Sequence, residues 1–243
     1  MRNFLSLAFI YSTLNVAWGW ETVEDAARLS RELIKRESIA TLATVYPADF
    51  RDAGLANHPF ALMEYYADCH KNGSLTYLFF PISQNSRNVA SAPQKTASFT
   101  IRAGESSNSV GEFAPDVLSE AGQIPMARPK TGWWNWDWRR SLSMARGPAA
   151  SARVALMGRV NVMYGVTGEG DSKDDEEARH MSSCFLSRHP DAKWWVPGRK
   201  GAPHVAWWAR FDPEAVYYVG GFGDEHYIGR IPLDMYRNAT VSL

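Results

Sequence analysis

The chain has 243 residues, 45% of them hydrophobic and 13% aromatic, which is ample for a packed core and excludes general disorder. Lys+Arg and Asp+Glu number 26 each, so there is no basic excess or stripe of the kind a nucleic-acid surface needs. Length alone leaves one large or two small domains open.

The first segment differs in kind from the rest. Arg2 precedes FLSLAFIYSTLNVA, an apolar run too short to span a bilayer. Ala17 and Gly19 then supply small residues at the −3 and −1 positions of a cleavage site, so residues 1–19 are expected to be a signal peptide. The other reading is a buried N-terminal helix, disfavoured because Arg2 is the only charge before Glu21. No other stretch is long and apolar enough to cross a membrane. The mature chain is expected to be soluble and to enter the secretory route.

Residues 22–36 place Val23, Ala26, Ala27, Leu33 and Ile34 on one helical face, with Thr22 and Asp25 as a loose capping box. SIATLATVY (38–46) has the β-branched content of a strand. HPFALMEYY, SLTYLFF and KTASFTIRA give three more strands. ARVALMGRVNVMY (152–164) reads as a long strand with a bend or bulge at Gly158. SKDDEEARHMSSCFLSRH is helical, with acids in its first turn and Pro190 stopping it. HVAWWARF and AVYYVGGF are two further strands joined by a turn at Asp212-Pro213. Strands in succession with few helices predict a closed antiparallel β-barrel flanked by helices, in one domain over 20–243. A doubly wound sheet would need a helix after nearly every strand.

Residues 103–150, rich in Gly, Ser, Pro and Ala, are a long connection holding Trp133, Trp134, Trp136 and Trp138. Burial of these rings to anchor the loop is favoured over stacking on a sugar or a flavin beside Arg139 and Arg140.

Asn72-Gly73-Ser74 and Asn238-Ala239-Thr240 are N-glycosylation sequons, in keeping with a secreted chain. Cys69 and Cys184 are the only cysteines. An oxidising lumen favours their pairing if the fold brings them together, and two separate buried thiols remain equally open.

Gly220, Gly221 and Gly223 after an apolar run suggest a phosphate loop, but the third glycine of a dinucleotide fingerprint is replaced by His226. Asp224 and Glu225 would repel phosphate, and the residues after them read as strand, so a nucleotide there is excluded. A zinc site from Cys69, His70, His180 and Cys184 lacks the usual close cysteine pair, and no metal is expected. No nucleophile elbow occurs.

PFALMEYYADC (59–69), GSLTYLFFPISQNSRNVASAPQKTASFTI (73–101), CFLSRHPDAKWWVP (184–197) and HVAWWARFDPEAVYYVGGFGDEHYIGRIPLDMY (204–236), with SIATLATVY and ARVALMGRV, follow a familiar order. The chain resembles the CREG family, within the FMN-binding split-barrel superfamily that includes pyridoxamine phosphate oxidase. The resemblance implies a split β-barrel that pairs as a homodimer, with FMN at the dimer interface in the flavin-binding relatives. Those relatives hold the phosphate with Arg or Lys on the strand matching PFALMEYY and with a Ser-Lys pair after the next strand. Here the first element has no Arg or Lys and carries Glu64, while Ser86-Arg87 stands at the second. The resemblance therefore implies a secreted or endolysosomal, N-glycosylated homodimer that binds a partner, directly or through its glycans, without cofactor or catalysis. The alternative is an FMN-dependent oxidoreductase with Ser86 and Arg87 on the phosphate.

Overall fold

The computed structural model describes residues 21–104, 151–221 and 226–241. The expected signal peptide, the cluster from Trp133 to Trp138 and the stretch 222–225 lie outside them.

Helix α1 (Val23–Arg36) starts at the expected cap. Asp25 N donates to Thr22 Oγ1 at 3.1 Å, and Thr22 N donates to Asp25 Oδ2 at 3.2 Å. Two of the amides that a helix start leaves unpaired are thereby satisfied. The helix buries Ala26, Ala27, Leu33 and Ile34 against the barrel.

The strands are β1 (Ile39–Val45), β2 (Pro59–Ala67), β3 (Leu75–Phe79), β4 (Thr96–Arg102), β5 (Arg153–Met163), β6 (Trp207–Val219) and β7 (Ile228–Ile231). They pair antiparallel in the order β3-β2-β1-β4-β5-β6-β7, and β3 also pairs with β6. That last pairing closes six strands into a barrel and leaves β7 as an extra strand. The length of β6 makes this possible: Trp207–Phe211 pair with β3, and Val216–Val219 pair with β7. Inward residues fill the interior, among them Leu42, Tyr77, Phe99, Leu156, Phe211 and Tyr218. Phe99 lies edge-on to both Phe211 (4.9 Å) and Tyr77 (5.4 Å), the arrangement aromatic quadrupoles prefer.

One expectation is corrected. Asp212-Pro213 is not a turn, because β6 runs through it without a break. The register of β5 against β6 shifts between Met157 and Gly158, and Gly158 faces Pro213. A Cβ at Gly158 would collide with the Asp212 carbonyl, so the bulge expected there is what admits Pro213, which has no N–H to give.

Among the described residues three more helices lie outside the barrel: α2 (Gln84–Ser91), α3 (Lys173–Arg188) and α4 (Leu233–Asn238). A 3₁₀ turn at Pro190–Trp194 follows α3. Cys69 and Cys184 are joined in a disulfide with Cα atoms 5.8 Å apart, tying α3 to the end of β2. Beside it Met181 and Phe185 of α3 pack on Ala67, Leu78 and Trp208 in a second, smaller core.

Candidate functional site

Strand β2 carries Glu64, and the segment after β3 carries Ser86 and Arg87 on α2. There, α2 turns the helix face carrying Asn85 and Asn88 toward β1 and β2. Gln84 Nε2 donates to Asn88 Oδ1 at 2.7 Å, and Asn88 Nδ2 donates to Thr44 Oγ1 at 3.0 Å. Thr44 Oγ1 donates to Asn85 Oδ1 at 3.0 Å, and Asn85 Nδ2 donates to Glu64 Oε1 at 3.3 Å. Every bond runs in the same sense and ends on the carboxylate. Thr44, Asn85 and Asn88 are buried. Such groups are costly without partners, and here each finds one. Burial pushes the Glu64 carboxyl above the usual carboxylate range, with the Asn85 hydrogen bond opposing.

Ser86 and Arg87 lie beside this chain on α2. Ser86 is buried, whereas Arg87 is exposed and its Nε donates to the Pro81 carbonyl at 3.1 Å. Arg87 is the only cation of α2. A flavin phosphate placed between β2 and α2 would meet the Glu64 carboxylate and amides already bonded to one another. The residues present do not fit that group. Asn85 and Asn88 were not singled out from the sequence, although their spacing of three puts both on one helix face with Val89.

The outer face of the β1–β2 ribbon is apolar. Ile39 stands opposite Tyr65, Thr41 opposite Met63, Ala43 opposite Ala61 and Val45 opposite Pro59. Met63 is 76% exposed and Val45 54%. Tyr65 at the end of this row stacks on His189 at 4.4 Å, and its hydroxyl donates to Asp191 Oδ2 at 3.2 Å. His189 Nε2 donates to the Tyr66 carbonyl at 2.9 Å. RHPDAKWW is thus a clamp that holds the end of α3 on β2.

The two sequons lie at one end of the molecule. Asn72 is exposed in the turn between β2 and β3, and Asn238 is exposed at the end of α4. The Tyr236 hydroxyl donates to the Gly73 carbonyl at 2.9 Å, and Arg31 Nη1 donates to the Lys71 carbonyl at 3.1 Å. Arg31 in turn pairs with Asp68 at 3.6 Å, both side chains buried.

The glycine-rich stretch is followed by β7 and not by a helix. Glu21 crosses its start, with Oε2 2.8 Å from His226 Nδ1. Among the described residues no group of three His, Cys, Asp or Glu side chains is placed to hold a metal ion, and no helix is long and apolar enough to cross a membrane.

Residues 21–238 match the family model for the CREG β-barrel. The chain belongs to the CREG β-barrel family. No curated protein sequence matches the CREG-family chain. Its fold is shared by a heme binding protein from Mycobacterium smegmatis, with a TM-score of 0.54 at 19% identity, covering 89% of this chain and 61% of that one. The CREG-family chain thus spans about three-fifths of that protein's length. Weaker likenesses include the protein Atu2129, of unknown function, from Agrobacterium tumefaciens (TM-score 0.47, 15% identity, 82% and 57% covered). Another is HutZ, the heme storage protein of Vibrio cholerae (TM-score 0.40, 16% identity, 82% and 94% covered). At these identities the likeness is one of fold.

Proposed function

We propose that this CREG-family protein is a secreted or endolysosomal N-glycosylated homodimer that works by binding a protein or glycan-reading partner, not by flavin catalysis. The observation that carries this reading is the hydrogen-bonded chain from Gln84 to Glu64. It fills the position where a flavin-binding relative would present cations to phosphate, and it ends on a carboxylate. An anion brought there would lose its hydration and gain a repulsion, which strengthens as water leaves the site.

The outer β1–β2 face supports pairing. An exposed apolar row on one ribbon is the kind of surface that association covers, and a second copy supplies the same row by two-fold symmetry. The sequons support the secretory route: Asn72 and Asn238 are exposed, and the Tyr236 hydroxyl on the Gly73 carbonyl ties their two segments together.

The purified secreted protein is expected to be colourless and to show no thermal shift with FMN. Its mass should fall by one glycan in each of Asn72→Gln and Asn238→Gln. A yellow preparation whose colour is lost in Arg87→Glu would replace this reading with the oxidoreductase. A Soret band that survives gel filtration after hemin is added would point instead to a tetrapyrrole carrier.

A further inference from the structure

A second feature lies outside the family site. Two loops, 165–167 and 196–206, face each other across an open groove of about 460 Å³, within the size range of small-molecule sites. They touch at Gly198, where φ is +79° and a Cβ would lie 3.0 Å from Thr167 Cβ. Only glycine takes that conformation and that approach without strain, so the groove wall is built into the chain.

The floor is aromatic and fixed. Trp207, the first residue of β6, packs on Phe79 at 6.2 Å and edge-on to Tyr164 at 4.8 Å. Val166, Val196 and Pro197 extend the apolar lining, and Val205 at its edge is 63% exposed. The rim is cationic. Arg199 lines the groove and its guanidinium lies 5.0 Å from the centre of the Trp194 ring, where Lys193 Nζ also sits at 5.0 Å. Contact with the face of the Trp194 ring restrains the Arg199 guanidinium. His204 is the other titratable group in the lining, and no Asp or Glu is present among the described residues that line it.

A groove of mixed lining, with apolar side chains at Trp207, Val166, Val196 and Val205, one guanidinium and no carboxylate among its described lining residues, suits an amphipathic anion. We infer that this groove binds an amphipathic carboxylate, an acyl chain lying on Trp207 and Val205 with its carboxylate on Arg199. A planar guanidinium donates two parallel hydrogen bonds to a carboxylate, which a lysine would not offer. The groove is independent of the flavin question, since none of its lining residues belongs to β1, β2 or α2.

The test is a titration of the purified protein with saturated fatty acids below their micellar concentrations, read by quenching of tryptophan fluorescence. Saturable binding of dodecanoate is expected, with affinity rising about fourfold per added methylene from octanoate upward. Dodecanol, with the same chain and no charge, should bind at least tenfold more weakly. Arg199→Glu should lose at least tenfold for dodecanoate and leave dodecanol unchanged. Val205→Asp should weaken both, and each variant's melting temperature should stay at the wild-type value because both positions are at the surface. Equal binding of dodecanoate and dodecanol would overturn the inference, as would full affinity in Arg199→Glu or quenching that does not saturate.

Discussion

The Glu64 carboxyl lies under α2 with the Asn85 amide donating to it at 3.3 Å, and burial raises its pKa above the ordinary carboxylate range. A carboxyl whose folded pKa is raised binds its proton more tightly in the native state. The stability it contributes is therefore greatest below the unfolded value of about 4.3 and is lost as pH rises through the folded value. Glu64→Gln keeps an acceptor for Asn85 and removes that loss. The variant should melt above wild type at pH 7, with the gap closing as pH falls toward 4. A gap that is constant across this range would show that Glu64 has the same pKa in the folded and the unfolded chain. Thr44 is the centre of the same chain, donating to Asn85 and accepting from Asn88. Thr44→Val keeps the shape and leaves both amides without their buried partner, at a cost on the order of 2–4 kcal/mol. Urea unfolding measures it, and a loss below about 0.5 kcal/mol would mean that water replaces the hydroxyl.

At the scale of elements, what could be read beforehand follows from the kind of signal. The strands were legible because they are rich in β-branched and aromatic residues, and KTASFTIRA alternates cleanly, whereas the pairing of SIATLATV with PFALMEYY required the fold. The start of α1 was legible because Thr22 and Asp25 form its cap. Helix α2 was not. QNSRNVAS has only Val89 and Ala90 as apolar residues, and its buried face is made of asparagines whose cost is met by partners distant in sequence. The continuous β6 was hidden for a related reason: Pro213 reads as a breaker until the bulge at Gly158 on the opposing strand is seen. Cysteine count alone left the disulfide open, since only the docking of α3 on β2 brings Cys69 to Cys184 across 115 residues. Replacing both cysteines by alanine should cost about 2–5 kcal/mol and loosen α3 first. Amide exchange along 173–188 is the measurement, and unchanged protection there would show that the small core around Phe185 and Trp208 holds the helix unaided.

Over the whole molecule, the closed barrel leaves β2 less covered than its neighbours. Met63 and Leu62, on opposite faces of the strand, are 76% and 53% exposed. A strand so apolar and so open offers a surface to association, and the proposed partner is a second copy. Met63→Glu places a charge in the middle of the outer row and should convert the dimer to a folded monomer in sedimentation velocity, since the side chain is exposed within one chain. A variant that remains dimeric would place the contact elsewhere. The candidate site is where sequence and structure inform each other most closely. The loss of Arg and Lys from PFALMEYY was visible in the residues alone. That α2 sets the Asn85 amide on Glu64, and points Arg87 at Pro81, required the fold.

Equilibrium titration of the secreted protein with FMN, followed by flavin fluorescence, tests most directly the proposal that it binds partners through its surfaces and offers no seat to a flavin phosphate. No saturable quenching is predicted at flavin concentrations up to about 1 mM, in wild type or in Arg87→Glu. Stoichiometric, saturable quenching in wild type that Arg87→Glu abolishes would contradict the account.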